Sequence, residues 1–291
     1  MCHVVFIAPS FTMNWQPSKC LEDPQDYRKN YISEETGQGR FALIILNQPI
    51  LVRRTLFENV WNNATYRFCA DGGANRLYDM FETDEERVKY LPDYIRGDLD
   101  SLRDSVKEYY ESQGVPVERV DDEYSTDFMK CVDLVRERDP KPASSVPVAS
   151  HSSSFSVSGT QQQHQYSNNL EIVALGGTGG RFDQCMSSIH HLYILSRERH
   201  ATLVSDESII VVLNEGKHEI TCNLEIEGPT CGIIPVGAGH GILTTTGLKW
   251  DVESWETAFG TRISTSNALV GPKVTIEINT PMVWTTELRS K

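Results

Sequence analysis

The chain has 291 residues, 39% of them hydrophobic, and a formal net charge of −13; its length and apolar content predict one large or two ordinary domains with a buried core. The negative charge and the lack of a long basic run disfavour a protein that binds nucleic acid regardless of sequence, because such binding depends on Lys and Arg. No apolar stretch is long enough to span a membrane, the start of the chain lacks the pattern of a signal peptide, and seven cysteines without a C-x-x-C pair favour a reduced, cytoplasmic chain.

The beginning of the chain carries no clear periodicity. Residues 1–39 are mixed in character and contain several Pro, Gln and Asp residues. We interpret residues 1–39 as an irregular N-terminal extension, in which Trp15 and Tyr27 are candidate anchors.

Strand and helix patterns alternate from residue 40 to residue 204. Residues 41–46 form a continuous apolar run, which is typical of a strand covered on both faces. Shorter strand patterns follow at residues 66–70, 94–96, 115–120, 171–175 and 201–204. Apolar residues at helical spacing lie between them, most clearly from Phe128 to Val135 and from Phe182 to Tyr193. The alternation predicts an α/β domain whose sheet is mostly parallel, with flanking helices.

Two further regions differ from this pattern. Residues 139–169 contain three prolines and runs of Ser and Gln, a composition that cannot bury a core, and we predict a disordered insertion there. From residue 205 to residue 291 the pattern is all-β, with alternation of apolar and polar residues at 274–279 and several Gly-bearing turns. Short strands at this spacing predict a small β-sandwich as the C-terminal domain.

Five aspartates lie in short segments that mostly follow an apolar run and open a helical pattern. They are Asp71, Asp98, Asp100, Asp127 and Asp183. Because open α/β sheets bind ligands at the carboxyl ends of their strands, we expect these side chains to gather at that edge. Carboxylates that gather repel each other unless a cation joins them, and Mg²⁺ is the usual partner of a few carboxylates and phosphate oxygens.

Taken singly, these aspartates have a simpler explanation. Asp98 and Asp100, two residues apart in a turn, can converge on one cation, but helix capping explains them equally well. Capping by Ser125 and Thr126 also accounts for Asp127 as the start of a helix. Lys130, one turn further on, is either a phosphate ligand or an ordinary solvated lysine.

A glycine-rich segment, residues 176–180, joins a predicted strand to a predicted helix; we call it the glycine loop. Its backbone N–H groups could approach phosphate oxygens, yet it lacks the Gly-Lys-Ser/Thr of a Walker A loop and the third glycine of a dinucleotide-binding motif. A tight strand–helix turn is the alternative. Arg181 and Asp183 favour a functional role for the loop, since they offer a guanidinium for phosphate and a carboxylate for metal.

In the β-rich region, Trp250 either stacks on a flat ligand or belongs to the core.

Seven of these segments, taken in their order along the chain, closely resemble eukaryotic thiamin pyrophosphokinases. The matching segments are residues 45–49, 70–76, 97–101, 125–131, 176–184, 245–250 and 264–267. Each segment is short, but the ordered set is specific. The sequence departs from the family in two places. The insertion at residues 139–169 is long, and residues 122–124 are Asp-Glu-Tyr where a stretch richer in Gln and His is expected.

The resemblance implies an α/β catalytic domain, a C-terminal thiamin-binding β-sandwich and a homodimer with the active site between the subunits. It implies transfer of the pyrophosphoryl group of ATP to thiamin, giving AMP and thiamin diphosphate as the last step of thiamin diphosphate formation, with Mg²⁺ as cofactor. Asp98, Asp100 and Asp127 are the implied metal ligands. Catalytic roles are implied for Asp71, Asp98, Asp100, Asp127, Arg181 and Asp183. Substrate contacts are implied for Gly72, Gly73, Thr126, Lys130, Gly177, Gly179, Gly180, Gln184, Trp250, Ser264 and Asn267.

Two other functions remain open at this point. One is a Mg²⁺-dependent nucleotidyl transferase or hydrolase that acts on another nucleotide. The other is a regulator that binds thiamin or a nucleotide without turnover, against which the intact set of carboxylates argues. The sequence does not decide whether Asp127 or Asp100 accepts the proton of the attacking hydroxyl.

Overall fold

The computed structural model describes residues 12–33, 38–139 and 169–289. The helices are α1 (Pro24–Tyr31), α2 (Arg54–Asn63), α3 (Gly73–Asp79), α4 (Asp84–Arg87), α5 (Asp104–Ser112), α6 (Asp127–Arg138) and α7 (Phe182–Leu195), with 3₁₀ turns at Lys19–Leu21 and Val88–Tyr90. The strands are β1 (Thr12–Trp15), β2 (Phe41–Ile45), β3 (Tyr66–Ala70), β4 (Tyr94–Gly97), β5 (Val117–Arg119), β6 (Glu171–Leu175), β7 (Ala201–Val204), β8 (Ser208–Leu213), β9 (Gly216–Thr221), β10 (Glu227–Ile234), β11 (Gly241–Thr246), β12 (Trp255–Thr257), β13 (Ser264–Ala268), β14 (Lys273–Ile278) and β15 (Met282–Leu288).

A large mixed sheet forms the centre of the molecule, in the order β13-β10-β15-β8-β7-β6-β2-β3-β4-β5. Strands β7 to β5 in that order pair in parallel, which confirms the predicted α/β architecture. The central strand β2 is buried along its whole length, as its continuous apolar run predicts. Phe41, Leu43 and Ile45 pack into one hydrophobic cluster and Ala42 and Ile44 into another, so both faces of the sheet are covered.

The β-rich C-terminal region is a two-layer sandwich, as the sequence predicts. Its second layer is a five-stranded sheet in the order β1-β9-β14-β11-β12. The core between the layers includes Trp284 and Ile233 from the large sheet and Ile220 and Ile276 from the small one. One layer is a continuation of the parallel sheet, because β7 pairs antiparallel with β8 and so joins the two regions. The chain therefore changes from α/β to all-β near residue 205 without leaving the sheet.

The prediction of an irregular N-terminal extension is wrong for residues 12–15 and 24–31. Strand β1 pairs in parallel with β9, and α1 begins at Pro24 with Gln25 N donating to the Asp23 side chain at 2.9 Å. Trp15 stacks on the ring of His200 with centroids 4.6 Å apart, and Tyr27 is fully buried. A four-residue strand has no periodicity to detect, and its hydrogen bonds come from a strand 200 residues away. Residues 1–11 and 34–37 lie outside the described residues.

The predicted disordered insertion also falls almost entirely outside the described residues, which omit 140–168. The residues on either side of this gap are hydrogen-bonded to each other, since Leu170 N donates to Asp139 Oδ2 at 2.6 Å.

Across the described ranges, none of the helices has the length and apolar character needed to cross a bilayer. The cysteines in these ranges are unpaired.

Candidate active site at the carboxyl edge of the parallel sheet

Three of the five predicted aspartates meet at the carboxyl ends of neighbouring strands. Asp71 follows β3, Asp98 follows β4, and Asp127 is the first residue of α6. Each offers a carboxylate oxygen within 4.8 Å of the others. We call Asp71, Asp98 and Asp127 the aspartate cluster.

Glycines permit this close approach. A Cβ at Gly97 would lie 2.6 Å from Cβ of Asp71 and 3.1 Å from Oδ1 of Asp127, so a larger residue there would push the cluster apart. A Cβ at Gly73 would collide with the carbonyl of Ile45 at the end of β2. Asp71 itself has a φ of 45°, and the sharp turn directs its side chain over the end of the sheet.

Backbone and lysine donors hold the cluster in place. Asp98 N donates to Asp127 Oδ1 at 3.2 Å, and Ser101 N donates to Asp71 Oδ2 at 3.1 Å. Lys130 Nζ donates to Asp127 Oδ1 at 3.0 Å and lies 3.7 Å from Asp98 Oδ2. Burial disfavours the charged lysine, but the hydrogen bond to Asp127 and the nearby carboxylates outweigh it and raise the pKa of Lys130. One ammonium pairs with two of the three carboxylates, so the cluster holds more carboxylates than Lys130 can neutralise.

Asp71 is the member of the cluster that the protein leaves least satisfied. Its residue is 2% exposed, and Oδ1 is buried without a hydrogen-bond partner in the part of the chain that the structure describes. Burial raises the pKa of Asp71 to about 6; the hydrogen bond from Ser101 opposes the rise, and the charges of Asp127 and Asp98 add to it. A buried carboxylate oxygen with no donor, beside two further carboxylates, fits a divalent cation that prefers oxygen ligands.

Asp100 lies outside the aspartate cluster, although the family resemblance implies that it is a metal ligand with Asp98 and Asp127. Its Oδ1 accepts from Ser101 Oγ at 2.9 Å, and its N donates to Asp98 Oδ1 at 3.1 Å. Leu99 between the two aspartates has a φ of 64°, which turns the chain there. Asp71 joins Asp98 and Asp127 instead, and its position directly after the buried strand β3 was the signal for it.

The glycine loop follows β6, on the far side of β2 from the aspartate cluster. Positive φ angles at Gly176, Gly179 and Gly180 shape it. Arg181 Nη2 lies 2.5 Å from Asp183 Oδ2, and both side chains are exposed. This hydrogen bond lowers the pKa of Asp183 and raises that of Arg181. Asp183 therefore pairs with its neighbour and is not brought into the cluster.

Other predicted residues near the loop make contacts of their own. Gly177 fits against the Leu203 side chain, which a Cβ would approach to 2.9 Å. Gln184 is exposed on the first turn of α7. Thr126 caps α6 by accepting from Met129 N at 3.3 Å, and its Oγ1 lies 2.9 Å from Nε2 of His191. Thr126 therefore links α6, which carries Asp127, to α7, which follows the glycine loop.

Two residues that hold this region together, Arg96 and His191, were not predicted from the sequence. Arg96, at the end of β4, donates to Glu118 and Glu137 at 2.8 Å and 3.0 Å and so fastens α6 to the sheet beneath the cluster. Its place directly before Gly97-Asp98 was an available signal. His191 contacts Thr126, and burial lowers its pKa to about 4, so the imidazole is neutral at physiological pH. The His190-His191 pair did not show by itself which ring is buried.

The predicted thiamin-binding residues lie on neighbouring segments of the β-rich region. Trp250 is 54% exposed, and Lys249 Nζ lies 4.6 Å from its ring centroid. The buried Asn267 side chain accepts from Trp250 N at 3.2 Å and donates to Trp250 O at 2.9 Å. Asn267 thus fixes the backbone of Trp250, while the ring stays exposed. Ser264 is half-buried at the start of β13, opposite Ile233.

Comparison with known proteins gives consistent results along the chain. The family model "Thiamin pyrophosphokinase, catalytic domain" matches residues 57–204, and "Thiamin pyrophosphokinase, vitamin B1 binding domain" matches residues 217–283. Rice thiamine pyrophosphokinase 2 is 37% identical over 262 residues, covering 86% of this chain and 87% of the relative. Thiamine pyrophosphokinase of Saccharomyces cerevisiae is 36% identical over 253 residues, covering 79% of each.

Solved structures similar to this chain carry the same family name as these sequence relatives. Thiamin pyrophosphokinase from Candida albicans superposes with a TM-score of 0.76 at 27% identity, covering 97% of this chain and 95% of that one. The structure of yeast thiamin pyrophosphokinase gives a TM-score of 0.75 at 29% identity, covering 99% and 94%. The similarity extends over both the α/β and the β-rich regions.

Proposed function

The chain belongs to the thiamin pyrophosphokinase family, and we propose that the aspartate cluster is its catalytic centre, binding Mg²⁺ together with the polyphosphate of ATP. The enzyme transfers the pyrophosphoryl group of ATP to thiamin. None of the comparisons favours a regulator without turnover. The observation that carries the assignment of the centre is the convergence of Asp71, Asp98 and Asp127 with Oδ1 of Asp71 buried and unpartnered.

The reaction forms one bond and breaks another at the β-phosphorus. The hydroxyl oxygen of thiamin bonds to the β-phosphorus of ATP, the bond from that phosphorus to the α,β-bridging oxygen breaks, and AMP leaves with the bridging oxygen. The hydroxyl proton passes to a carboxylate or to solvent. Like other phosphoryl transfers, this one depends mainly on positioning and charge neutralisation. Mg²⁺ bound at the cluster would supply charge neutralisation on the phosphates and the leaving group.

The protein's own residues divide this work. Asp71, Asp98 and Asp127 hold the cation, and Lys130 keeps Asp98 and Asp127 in place through its two contacts. Arg181, exposed after the glycine loop, is the cation for the transferred phosphates, and the backbone N–H groups of the loop donate to them. Since Asp71, Asp98 and Asp127 are assigned to the cation, we assign the role of proton acceptor to Asp100, which lies beside the cluster but outside it.

Thiamin binding belongs to the β-rich region in this proposal. The exposed face of Trp250 suits the flat pyrimidine or the cationic thiazolium, because a π face attracts positive charge. Asn267 acts through the backbone of Trp250, and Ser264 offers a hydroxyl on the neighbouring strand. We place the catalytic unit at residues 40–204 and the thiamin-binding unit at 205–291.

We further propose a cytoplasmic homodimer whose active sites lie between subunits. Large apolar side chains are exposed in both regions: Phe182 and Met186 on α7, and Trp250, Phe259 and Val270 in the β-rich region. Exposed apolar surface at two separate places fits an interface between two copies of the chain. In such an interface α7 of each copy would be covered by the β-rich region of the other. The unpaired cysteines of the described ranges fit a reducing compartment.

One product assay tests the proposed function. The purified protein is incubated with ATP, Mg²⁺ and thiamin, with controls that omit thiamin or contain EDTA, and the products are separated. Equal amounts of AMP and thiamin diphosphate, lost with EDTA, are the expected result. Free pyrophosphate as the product would instead indicate a nucleotidyl transferase or hydrolase. Thiamin binding without any turnover would indicate a regulator.

A further inference from the structure

The loop that follows β2 lies between the two halves of the proposed site. Strand β2 pairs with β3 on one side and with β6 on the other. The aspartate cluster begins at the end of β3, and the glycine loop begins at the end of β6. Neighbouring strands are about 4.8 Å apart, so the ends of β3 and β6 are separated by roughly 10 Å. A polyphosphate that touches both the cluster and the glycine loop must cross the end of β2.

Asn47 and Gln48, at this crossing point, each contact one of the two glycine turns. A Cβ at Gly72, next to Asp71, would collide with the side-chain amide of Asn47. A Cβ at Gly180 would lie 2.7 Å from Nε2 and Oε1 of Gln48, and one at Gly176 would lie 3.2 Å from its Cβ. The two side chains therefore fill the space between the turn that carries Asp71 and the glycine loop.

Asn47 also orients a cation at this point. Arg76 Nε donates to Asn47 Oδ1 at 2.8 Å, from a half-buried position on α3. Among the described residues Arg76 forms no ion pair with a carboxylate, in contrast to Arg181 and Lys130. With Nε held by Asn47, the two terminal nitrogens of the guanidinium remain as donors, and their planar arrangement matches two oxygens of a phosphate.

We propose that Arg76 contacts the polyphosphate of the nucleotide where it crosses the end of β2, and that Asn47 is a positioning residue that directs the Arg76 guanidinium to it. The inference rests on the proposed function, because it requires a nucleotide bound between the aspartate cluster and the glycine loop. It adds a cation to a site in which Lys130 is occupied by carboxylates and Arg181 lies beyond the glycine loop. The ligand class is a nucleoside polyphosphate, and thiamin is not contacted.

A double-mutant cycle tests the pairing. The variants Arg76→Ala, Asn47→Ala and the double variant are titrated with α,β-methylene-ATP and Mg²⁺, and the KM values for ATP and for thiamin are measured. Arg76→Ala should weaken binding of the analogue about tenfold or more, as expected for a lost charge-assisted hydrogen bond. Asn47→Ala should weaken it about threefold to tenfold, and in the Arg76→Ala background it should change binding by less than about twofold.

Two further measurements separate positioning from a loss of structure. Asn59→Ala serves as the matched control, because Asn59 also makes a side-chain hydrogen bond, to Leu21 O, but on α2 away from the site. The midpoint of thermal unfolding should fall no further in Asn47→Ala and Arg76→Ala than in Asn59→Ala. The KM for ATP should rise in Asn47→Ala and Arg76→Ala while the KM for thiamin stays constant.

The outcomes are distinguishable from a failure of the proposed function. If the unmodified protein neither binds the analogue nor forms AMP, the proposed function and this inference both fail. If the unmodified protein does both and Arg76→Ala binds the analogue normally, only the inference fails. If Asn47→Ala weakens binding of the analogue equally in the presence and absence of the Arg76 side chain, the positioning role of Asn47 is wrong. The contact of Arg76 with phosphate would still stand.

Discussion

The residue with the clearest conflict between stability and function is Asp71. In the unfolded chain its carboxyl has the ordinary pKa of 3.8, whereas burial raises the pKa to about 6 in the folded chain. The folded state therefore binds this proton more tightly. The protonated Asp71 carboxyl favours folding at low pH. This contribution to the free energy of unfolding is lost as the pH rises through the folded-state pKa of about 6. Above pH 6 the ionised cluster opposes folding, and a bound cation would offset that effect.

This conflict predicts a pH-dependent response to metal. Mg²⁺ should raise the thermal unfolding midpoint more at about pH 8, where Asp71 is ionised, than at about pH 5, where it is mostly protonated. Asp71→Asn should raise the midpoint of the metal-free protein at the higher pH and remove the response to Mg²⁺. Thermal unfolding with and without Mg²⁺ at the two pH values measures both effects. An equal response of the two proteins would show that Asp71 is not a ligand.

Asp100 and Asp98 allow a matched comparison, because they are two residues apart and only Asp98 belongs to the cluster. Asp100→Asn should lower kcat by at least about a hundredfold, the usual scale of general-base catalysis, while Mg²⁺ stabilisation of the fold is retained. Asp98→Asn should lose both. Steady-state kinetics and thermal unfolding with Mg²⁺ distinguish the two variants. Near-normal kcat in Asp100→Asn would exclude it as the proton acceptor.

At the scale of elements, the sequence predicts the strands and helices whose formation depends on a local pattern of apolar residues. The run from Phe41 to Leu46 identified a strand buried on both faces, and alternation with helices identified the parallel sheet and hence the edge at which aspartates meet. The presence of Asp71 in the cluster agrees with its place after a buried strand, but the exclusion of Asp100 could not be predicted, because it depends on a positive φ angle at Leu99, which is unusual for this residue type. Strand β1 was missed since its partner β9 is distant in sequence.

Glycine at the end of β4 gives a prediction at this scale. Gly97→Ala places a methyl group against Asp71 and Asp127 and should spread the cluster, lowering kcat by about a hundredfold, because small displacements of catalytic groups are costly. Gly239→Ala is the matched control, since a Cβ at Gly239 would meet nothing within 4 Å. Activity of the two variants is compared at equal concentrations of folded protein. Equal activity would mean that the cluster tolerates rearrangement.

At the scale of the whole molecule, the edge that carries the aspartate cluster and one layer of the β-rich region belong to the same sheet. The antiparallel pairing of β7 with β8 carries the sheet from the parallel strands into the sandwich, so backbone hydrogen bonds join the two regions. Ser18 Oγ and Thr286 Oγ1 both donate to the buried carboxylate of Glu227 at 2.6 Å, which also fastens the N-terminal segment to this sheet. This continuous attachment suits the proposed site, in which Trp250 of one subunit faces the aspartate cluster of another.

A site shared between subunits predicts complementation between inactive variants. Asp98→Asn removes a ligand from the catalytic edge, and Trp250→Ala removes the exposed ring of the thiamin-binding region. In a mixed dimer, one of the two sites would combine the intact edge of the Trp250→Ala chain with the intact ring of the Asp98→Asn chain. Random reassociation of equal amounts should therefore restore about a quarter of wild-type activity, since half of the dimers are mixed and half of their sites are intact. Each variant alone, unfolded and refolded in the same way, provides the baseline. If the mixture is no more active than the mean of the two variants, each site is built within one chain, and the exposed apolar residues of α7 and the β-rich region require another explanation.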